Sequence, residues 1–452
     1  MNINDLPGYR NARFLKILPG LYRDPLNTLT GIVSGGQKVI PFSFGKYVLF
    51  LVNDPRIIKH ILKSNYRNHP RGVSLKGIFP LLGKGLFTSD HDLWVKQQKS
   101  ITPAFHTRNF SRFAAIIDEE STNYLQRLEE VAASGEVIDL QKEFKVLMLQ
   151  ILVREMFSPG LKYDPLAVIE NLDRVLDYTS IRGELIRNVK SAFTSIVGKK
   201  FTPPAWYTGS LGYLEKFVAD FFSRIMTGEL EPGSLTLILK ELKEKGEVDA
   251  RQVRDEIMTF LFAGFDTVAE GLSWAQFLIS THPGTDEKIL ARGDETTTPD
   301  DDSPSTHKPG NSFLRSVINE ALRLYPPAWA FYRIVTESEE IEDLYFPAKS
   351  YLMISPYLLH RTPKYWERAE EFVPERFLGE DQPEVNHFHY IPFGQGPHIC
   401  TGRRLAMFEM ELILAKLTPT FKFVYAGEMP PKLDPGIIMK AANGLHFRVE
   451  KR

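Results

Sequence analysis

One cysteine occurs in the 452 residues, Cys400, and it stands in FGQGPHICTGRRLA, Phe393 to Ala406, close to Gly394, Gly396 and Gly402. A cysteine kept for packing sits more naturally among aliphatic side chains. This one sits in a tight glycine-rich loop, where backbone can come close to something large. As a thiolate it is a nucleophile or a metal ligand. A structural cysteine in a turn fits the same letters, and a cysteine hydrolase would need a base, for which His398 lies in the same loop. The second place for chemistry is Asp266-Thr267, inside the apolar run FLFAGFDTVAEGL. An acid and a hydroxyl there are costly unless they are hydrogen-bonded or used to move protons. The third is Glu320-Ala-Leu-Arg323, an acid and a cation three apart on one helix face, followed later by Arg376 in VPERFL. Alone, such a pair is usually a solvated contact.

Helices must carry most of these groups. The clearest helical pattern opens at Asp249 and runs to His282-Pro283; about 32 residues make a rod of roughly 48 Å, apolar on nearly every face, as expected of a buried central helix. Asp266 and Thr267 fall mid-way along it. Glu320 and Arg323 lie on FLRSVINEALRLY, and the cysteine loop leads into a last helix, GRRLAMFEMELILAKL. From about Phe110 to Met226 apolar residues recur at helical spacing, with a break at TPPAW. VIPFSF and YVLFLVN predict a small hairpin, Asp54-Pro55 opens a helical segment, and KFVYA and LHFRVEK read as strands. Residues 292–312 are of low complexity and read as a solvated loop. No linker divides the chain, so the expectation is one large, mainly α domain with small β-sheets over 1–452.

Charged residues make up 25% of the chain and the net charge is −1, so nothing in the balance points to nucleic acid. A single cysteine forms no internal disulfide, and the N-terminal residues have no long apolar run. The expectation is a cytoplasmic protein without a transmembrane anchor.

The spacing Phe393-Gly394-x-Gly396-x-His398-x-Cys400-x-Gly402, followed by Ala406, resembles the haem-binding signature of the cytochrome P-450 monooxygenases. The other motifs match in the family's order, so the resemblance covers essentially the whole chain. It implies the cytochrome P-450 fold, with the long central helix over the haem. It implies Cys400 as thiolate ligand to the iron of haem b, and a cofactor pocket of Cys400, His398, Trp94, Arg333, Gln98, Phe393, Gly394 and Gly402, with His398, Trp94, Arg333 and Gln98 toward the propionates. Glu320, Arg323 and Arg376 become a structural network behind the loop. Asp266 and Thr267 become the acid–alcohol pair that relays protons. The implied substrate pocket includes Phe79, Phe87, Phe262, Ala263, Ala328, Trp329, Ala330 and Ile438, within a lining that starts at Val73. Two positions depart from the pattern. Gln98 stands where the family usually has Arg, with Lys96 and Lys99 beside it, and Val268 replaces a frequent hydroxyl.

The function so implied is a haem-thiolate monooxygenase. It would use dioxygen and two external electrons to hydroxylate or otherwise oxidise a hydrophobic small molecule: a fatty acid, terpenoid or aromatic natural product, as in secondary metabolism. No dinucleotide fingerprint or fused reductase is visible, so electrons would come from NAD(P)H through a ferredoxin or flavodoxin and its reductase, the protein acting as a monomer. Lys96, Lys99, Arg403 and Arg404 are candidates for a basic docking patch. Two alternatives remain: a peroxide-using or redox-neutral haem-thiolate enzyme, and a haem-thiolate sensor without turnover. Intact Asp266-Thr267 argues against both.

Overall fold

The computed structural model describes residues 8–10, 12–44, 47–71, 77–179, 202–291, 313–378 and 388–452. The low-complexity stretch 292–312 lies outside these, as do residues 73–76 of the expected pocket lining. The chain packs as two compact units, each made of two segments: Met1–Lys76 with Asn319–Arg403, and Gly77–Ile318 with Arg404–Arg452.

The first unit is built on a sheet of order β1-β2-β3-β8-β5, with β1 at Tyr9–Arg10, β2 at Val39–Phe44, β3 at Tyr47–Val52, β8 at Tyr351–Ile354 and β5 at Phe331–Ile334. The expected hairpin is β2–β3, antiparallel with Val39 opposite Val52. β3 then pairs parallel with β8, and β8 antiparallel with β5. Phe50, Val52, Leu352 and Ile354 share a buried core with Ile57, Ile58 and Ile61. These isoleucines follow the turn at Asp54, whose Oδ1 accepts the Arg56 N–H at 3.0 Å and starts the short helix Pro55–Lys59.

The second unit is mainly helical. Its core includes the helices Phe110–Ser134, Leu140–Leu152, Pro165–Thr179, Ala205–Met226, Ala250–Ala263 and Asp266–Thr281. A three-stranded antiparallel sheet joins β4 (Val137–Asp139), β12 (His446–Lys451) and β9 (Phe421–Tyr425). A two-stranded ribbon pairs β10 (Leu433–Pro435) with β11 (Met439–Ala441).

The rod expected from Asp249 is two helices rather than one. Asp249 does cap its start, accepting the Gln252 N–H at 2.7 Å. The helix then ends at Ala263 and resumes at Asp266, interrupted by Gly264 and by Phe265 at φ −114°. Two local causes combine. Thr267 Oγ1 donates to the Ala263 carbonyl at 2.8 Å, a side-chain bond that competes with the helical ladder. Gly264, a poor helix former, fits where a Cβ would stand 2.7 Å from both Leu152 Cδ1 and the Phe260 carbonyl. Among the described residues no helix is long and apolar enough to cross a membrane.

Candidate functional site: a thiolate loop and a buried charge ladder

In the first unit the cysteine loop is closed on itself by backbone. Gly394 N–H donates to Ile391 O at 3.0 Å, Ile399 N–H to Gly396 O at 3.1 Å, and Cys400 N–H to Phe393 O at 2.9 Å. Gly394 (φ +71°) and Gly396 (φ +74°) adopt the left-handed conformation that glycine enters without strain. Their surroundings differ. A Cβ on Gly396 would lie 1.9 Å from the Leu62 carbonyl, so that glycine lets the loop press on the segment beneath it, whereas nothing stands within 4 Å of a Cβ on Gly394.

Cys400 is exposed at one side of this loop. Protein crowding on its other side pushes the thiol up in pKa, against the backbone N–H groups of Gly402 and Arg403 and the Arg403 charge, all of which favour the thiolate. That donor set suits a sulfur whose negative charge is completed by a metal. Among the described residues no cluster of three or more His, Cys, Asp or Glu is placed to hold an ion by itself. A lone exposed sulfur with N–H donors turned toward it and an open glycine edge would fit a single bond to a metal that a bound cofactor brings. His398 is half-buried with its ring edge-on to Tyr66 at 5.7 Å. Arg333 is buried, donating from Nη1 to Tyr332 O at 2.8 Å, with its guanidinium 5.2 Å from the Phe331 ring centre.

Behind the loop, Glu320 and Arg323 are fully buried and Arg376 joins them. Arg323 uses all five of its donors: Nε and Nη2 to the Glu320 carboxylate at 2.7 and 2.8 Å, Nη2 also to Glu371 O, and Nη1 to the His360 and Ala369 carbonyls. Glu320 Oε1 also accepts from Arg376 Nε at 3.0 Å and from the Val373 N–H at 2.9 Å. A residue that sequence reasoning missed ties this network to the loop. His360 Nε2 accepts the Ile391 N–H at 2.9 Å, so its proton sits on Nδ1 and is donated to Arg323 O. Burial and the Arg323 charge hold His360 well below its ordinary pKa, and it stays neutral.

In the second unit, Asp266 and Thr267 restart the helix after Gly264-Phe265. Asp266 is buried and faces Lys145, whose Nζ is 2.9 Å from Oδ1. One turn on, Glu270 accepts from the Gln141 amide. Lys145 also donates to Asp173, at 3.2 Å, whose side chain is 38% exposed and meets solvent. Gln141, Lys145 and Glu270 were not foreseen; their only trace is polar residues four apart inside otherwise buried helices.

Trp94 is buried on the helix His91–Ile101, and Gln98, one turn later, is half-buried. Lys96 and Lys99 are exposed and line a cavity of about 840 Å³ with Arg108, Arg112, Glu241 and Glu247. Of the expected substrate-pocket residues in this unit, Phe87 and Phe262 meet edge-to-face at 5.5 Å, Phe79 and Ala263 are half-buried, and Ile438 is buried beside the start of β11. In the first unit Trp329 is buried, Ala330 half-buried and Ala328 exposed.

A family model described as Cytochrome P450 matches residues 34–447. The chain is 28% identical to cyclooctatin synthase of Streptomyces melanosporofaciens, over 87% of this chain and 84% of that one. It is 28% identical to cyclooctat-9-en-7-ol 5-monooxygenase of the same organism, over 89% and 86%, and to the chloroplastic protein LUTEIN DEFICIENT 5 of Arabidopsis thaliana, over 92% and 72%. The crystal structure of CYP175A1 from Thermus thermophillus superposes with a TM-score of 0.75 at 22% identity, covering 98% of this chain and all of that one.

Proposed function

The chain belongs to the cytochrome P450 family, and on that premise we propose that it oxidises a hydrophobic alcohol or hydrocarbon of terpenoid type, with haem b held by Cys400 and electrons delivered from NAD(P)H by a ferredoxin or flavodoxin. Family membership makes it a haem-thiolate monooxygenase served by redox partner proteins. The observation that carries the finer reading is the open Cys400 sulfur with the Gly402 and Arg403 N–H groups turned toward it.

When bound, the haem supplies an electron-rich iron at which dioxygen is reduced and cleaved. The rest is work for this chain. The N–H groups of Gly402 and Arg403 would support the sulfur as thiolate once the metal of the cofactor is bound to it. Arg333 and His398 of the first unit, and Trp94 and Gln98 of the second, are each a candidate that would take a carboxylate of the cofactor, Gln98 by a neutral hydrogen bond where a charge would bind more strongly. Asp266, ion-paired with Lys145, is the acid of the relay, and the Thr267 hydroxyl, anchored on the Ala263 carbonyl, orients proton delivery. Phe79, Phe87, Phe262 and Ile438 would keep water out and favour an apolar guest. Fatty acids and aromatic natural products share that preference; the name of the second Streptomyces relative, an oxygenase of an unsaturated alcohol, favours the terpenoid class. Lys96, Lys99, Arg108 and Arg112 outnumber the two acids of their cavity, which suits an acidic electron donor. We place the protein in the cytoplasm as a monomer.

The purified protein is expected to show the red-shifted Soret band of a ferrous–CO thiolate complex, and Cys400→Ser to lose it. Survival of the band in the variant sinks the ligand assignment. Titration with terpenoid alcohols, long-chain fatty acids and flavonoids, read as the haem spin-state shift, decides the substrate class; a shift with fatty acids alone overturns the terpenoid reading.

A further inference from the structure

The helices Leu140–Leu152 and Asp266–Thr281 pack together, and each turns two polar side chains four residues apart toward the other. Gln141 meets Glu270, and Lys145 meets Asp266. The four are 1 to 7% exposed. Two buried carboxylates thus share one buried ammonium, and Asp173 draws on the same Lys145 from its solvent side. A pair of buried carboxylates beside a single cation is stable only if one of them carries a proton. The hydrogen bonds say which group is equipped for each state. Gln141 offers Glu270 an amide N–H that suits either form, while Asp266 is paired with the Lys145 ammonium, which favours its carboxylate.

Resting on the monooxygenase reading above, we infer that Glu270 is a proton store for the Asp266–Thr267 pair, held by Gln141 and balanced by Lys145. In the transfer, Glu270 gives its carboxyl proton to the Asp266 carboxylate and is left as a carboxylate facing Lys145. It refills from solvent on the side where Asp173 is exposed. No electrons move in this step, and the net charge of the buried group is unchanged until the proton passes on from Asp266.

The electrostatics agree. Burial first, and then the neighbouring Asp266 charge, push Glu270 up to about 8. Asp266 is raised by burial against the pull of Lys145. Lys145 loses to burial but gains more from Asp266, Asp173 and Glu270, and stays charged. The other elements contribute Lys440 of β11, which lowers both Asp266 and Glu270, and Asp177 and Asp434, which face Lys440. β9, also packed on the Asp266–Thr281 helix, has Lys422 exposed and Tyr425 against Phe277. The store therefore titrates close to neutral pH, where proton uptake from water is useful.

The test is an infrared pH titration of the haem-loaded full chain, following the carbonyl band of a buried protonated carboxyl after the contributions of Glu155, Glu256 and Glu409, which also hold protons, have been assigned with their own Gln variants and subtracted. Wild type is expected to lose a band with a midpoint near 8. Glu270→Gln should lack that band. Gln141→Leu, which removes a donor to the carboxylate, should move the midpoint upward, and Asp266→Asn, which removes a neighbouring negative charge, should move it downward. With a plant-type ferredoxin, its reductase and NADPH as the probe electron source, dioxygen consumption in wild type should fall above the midpoint. Glu270→Gln should be slower on the order of tenfold below the midpoint and lose that limb. The band persisting in Glu270→Gln, or a midpoint indifferent to both Gln141→Leu and Asp266→Asn, overturns the store while the ferrous–CO spectrum still supports the parent reading. Protein without that spectrum sinks the parent reading itself.

Discussion

At the residue scale, the groups nearest to chemistry were legible because their constraints are local. Glycines at 394 and 396 and the cysteine at 400 are separated by a few bonds, and the loop they form needs little else to define it. Gln141, Lys145 and His360 were not legible. Their meaning lies in partners 129, 121 and 37 residues away, and no period in the sequence announces such a pairing. Glu320 and Arg323 stand between these cases, since the i, i+3 spacing alone reads as a solvated pair and only the family resemblance implied a buried network. Burial makes the pair costly to break. Arg323→Met would leave Glu320 with only Arg376 and the Val373 N–H, and would strand the His360, Ala369 and Glu371 carbonyls. We expect a loss of about 3–5 kcal/mol, read as a lowered denaturation midpoint. The double variant with Glu320→Leu should lose less than the two single changes summed.

At the element scale, apolar periodicity found the helices and the β2–β3 hairpin but read through the interruption at Gly264-Phe265. Both sides of the break are apolar, so the pattern is continuous where the backbone is not. What interrupts the helix is a close approach by Leu152 together with a threonine hydroxyl, and both are tertiary or rotameric facts. Gly264→Ala should therefore cost roughly 1–3 kcal/mol through overpacking. Gly209→Ala, at an exposed site on the helix Ala205–Met226 where an added Cβ meets nothing within 4 Å, should instead stabilise by up to about 1 kcal/mol. Thermal melts of the pair decide it; equal effects would remove the steric explanation.

At the scale of the whole molecule, the fold class could be read from the sequence, whereas the partition into two units, each of two segments, could not. Buried acids also give the molecule a pH signature. Burial raises Glu256 to about 7 and both Glu270 and Glu409 to about 8. Folded-state values above the ordinary ones mean that the folded chain holds protons the unfolded chain has already released. That contribution is full in acid and is lost as pH climbs from the ordinary carboxylate range through about 8. Glu339 works in the opposite sense. Although partly buried, it is held below its usual value by His60, Asn65, His69 and Asn68, and its contribution disappears as pH falls. Stability should thus peak in mildly acidic solution, with the melting temperature falling from about pH 6 to about pH 9. Glu409→Gln should flatten that decline. A melting temperature that rises toward alkaline pH would contradict the assignment.

A chain with a single sulfhydryl, set at the accessible rim of its loop, has a practical corollary. A maleimide dye can couple at one position only, and axial bonding would mask that position. The dye-to-protein ratio of a preparation would then count the pigment-free molecules directly, and free pigment added beforehand should protect them from the label.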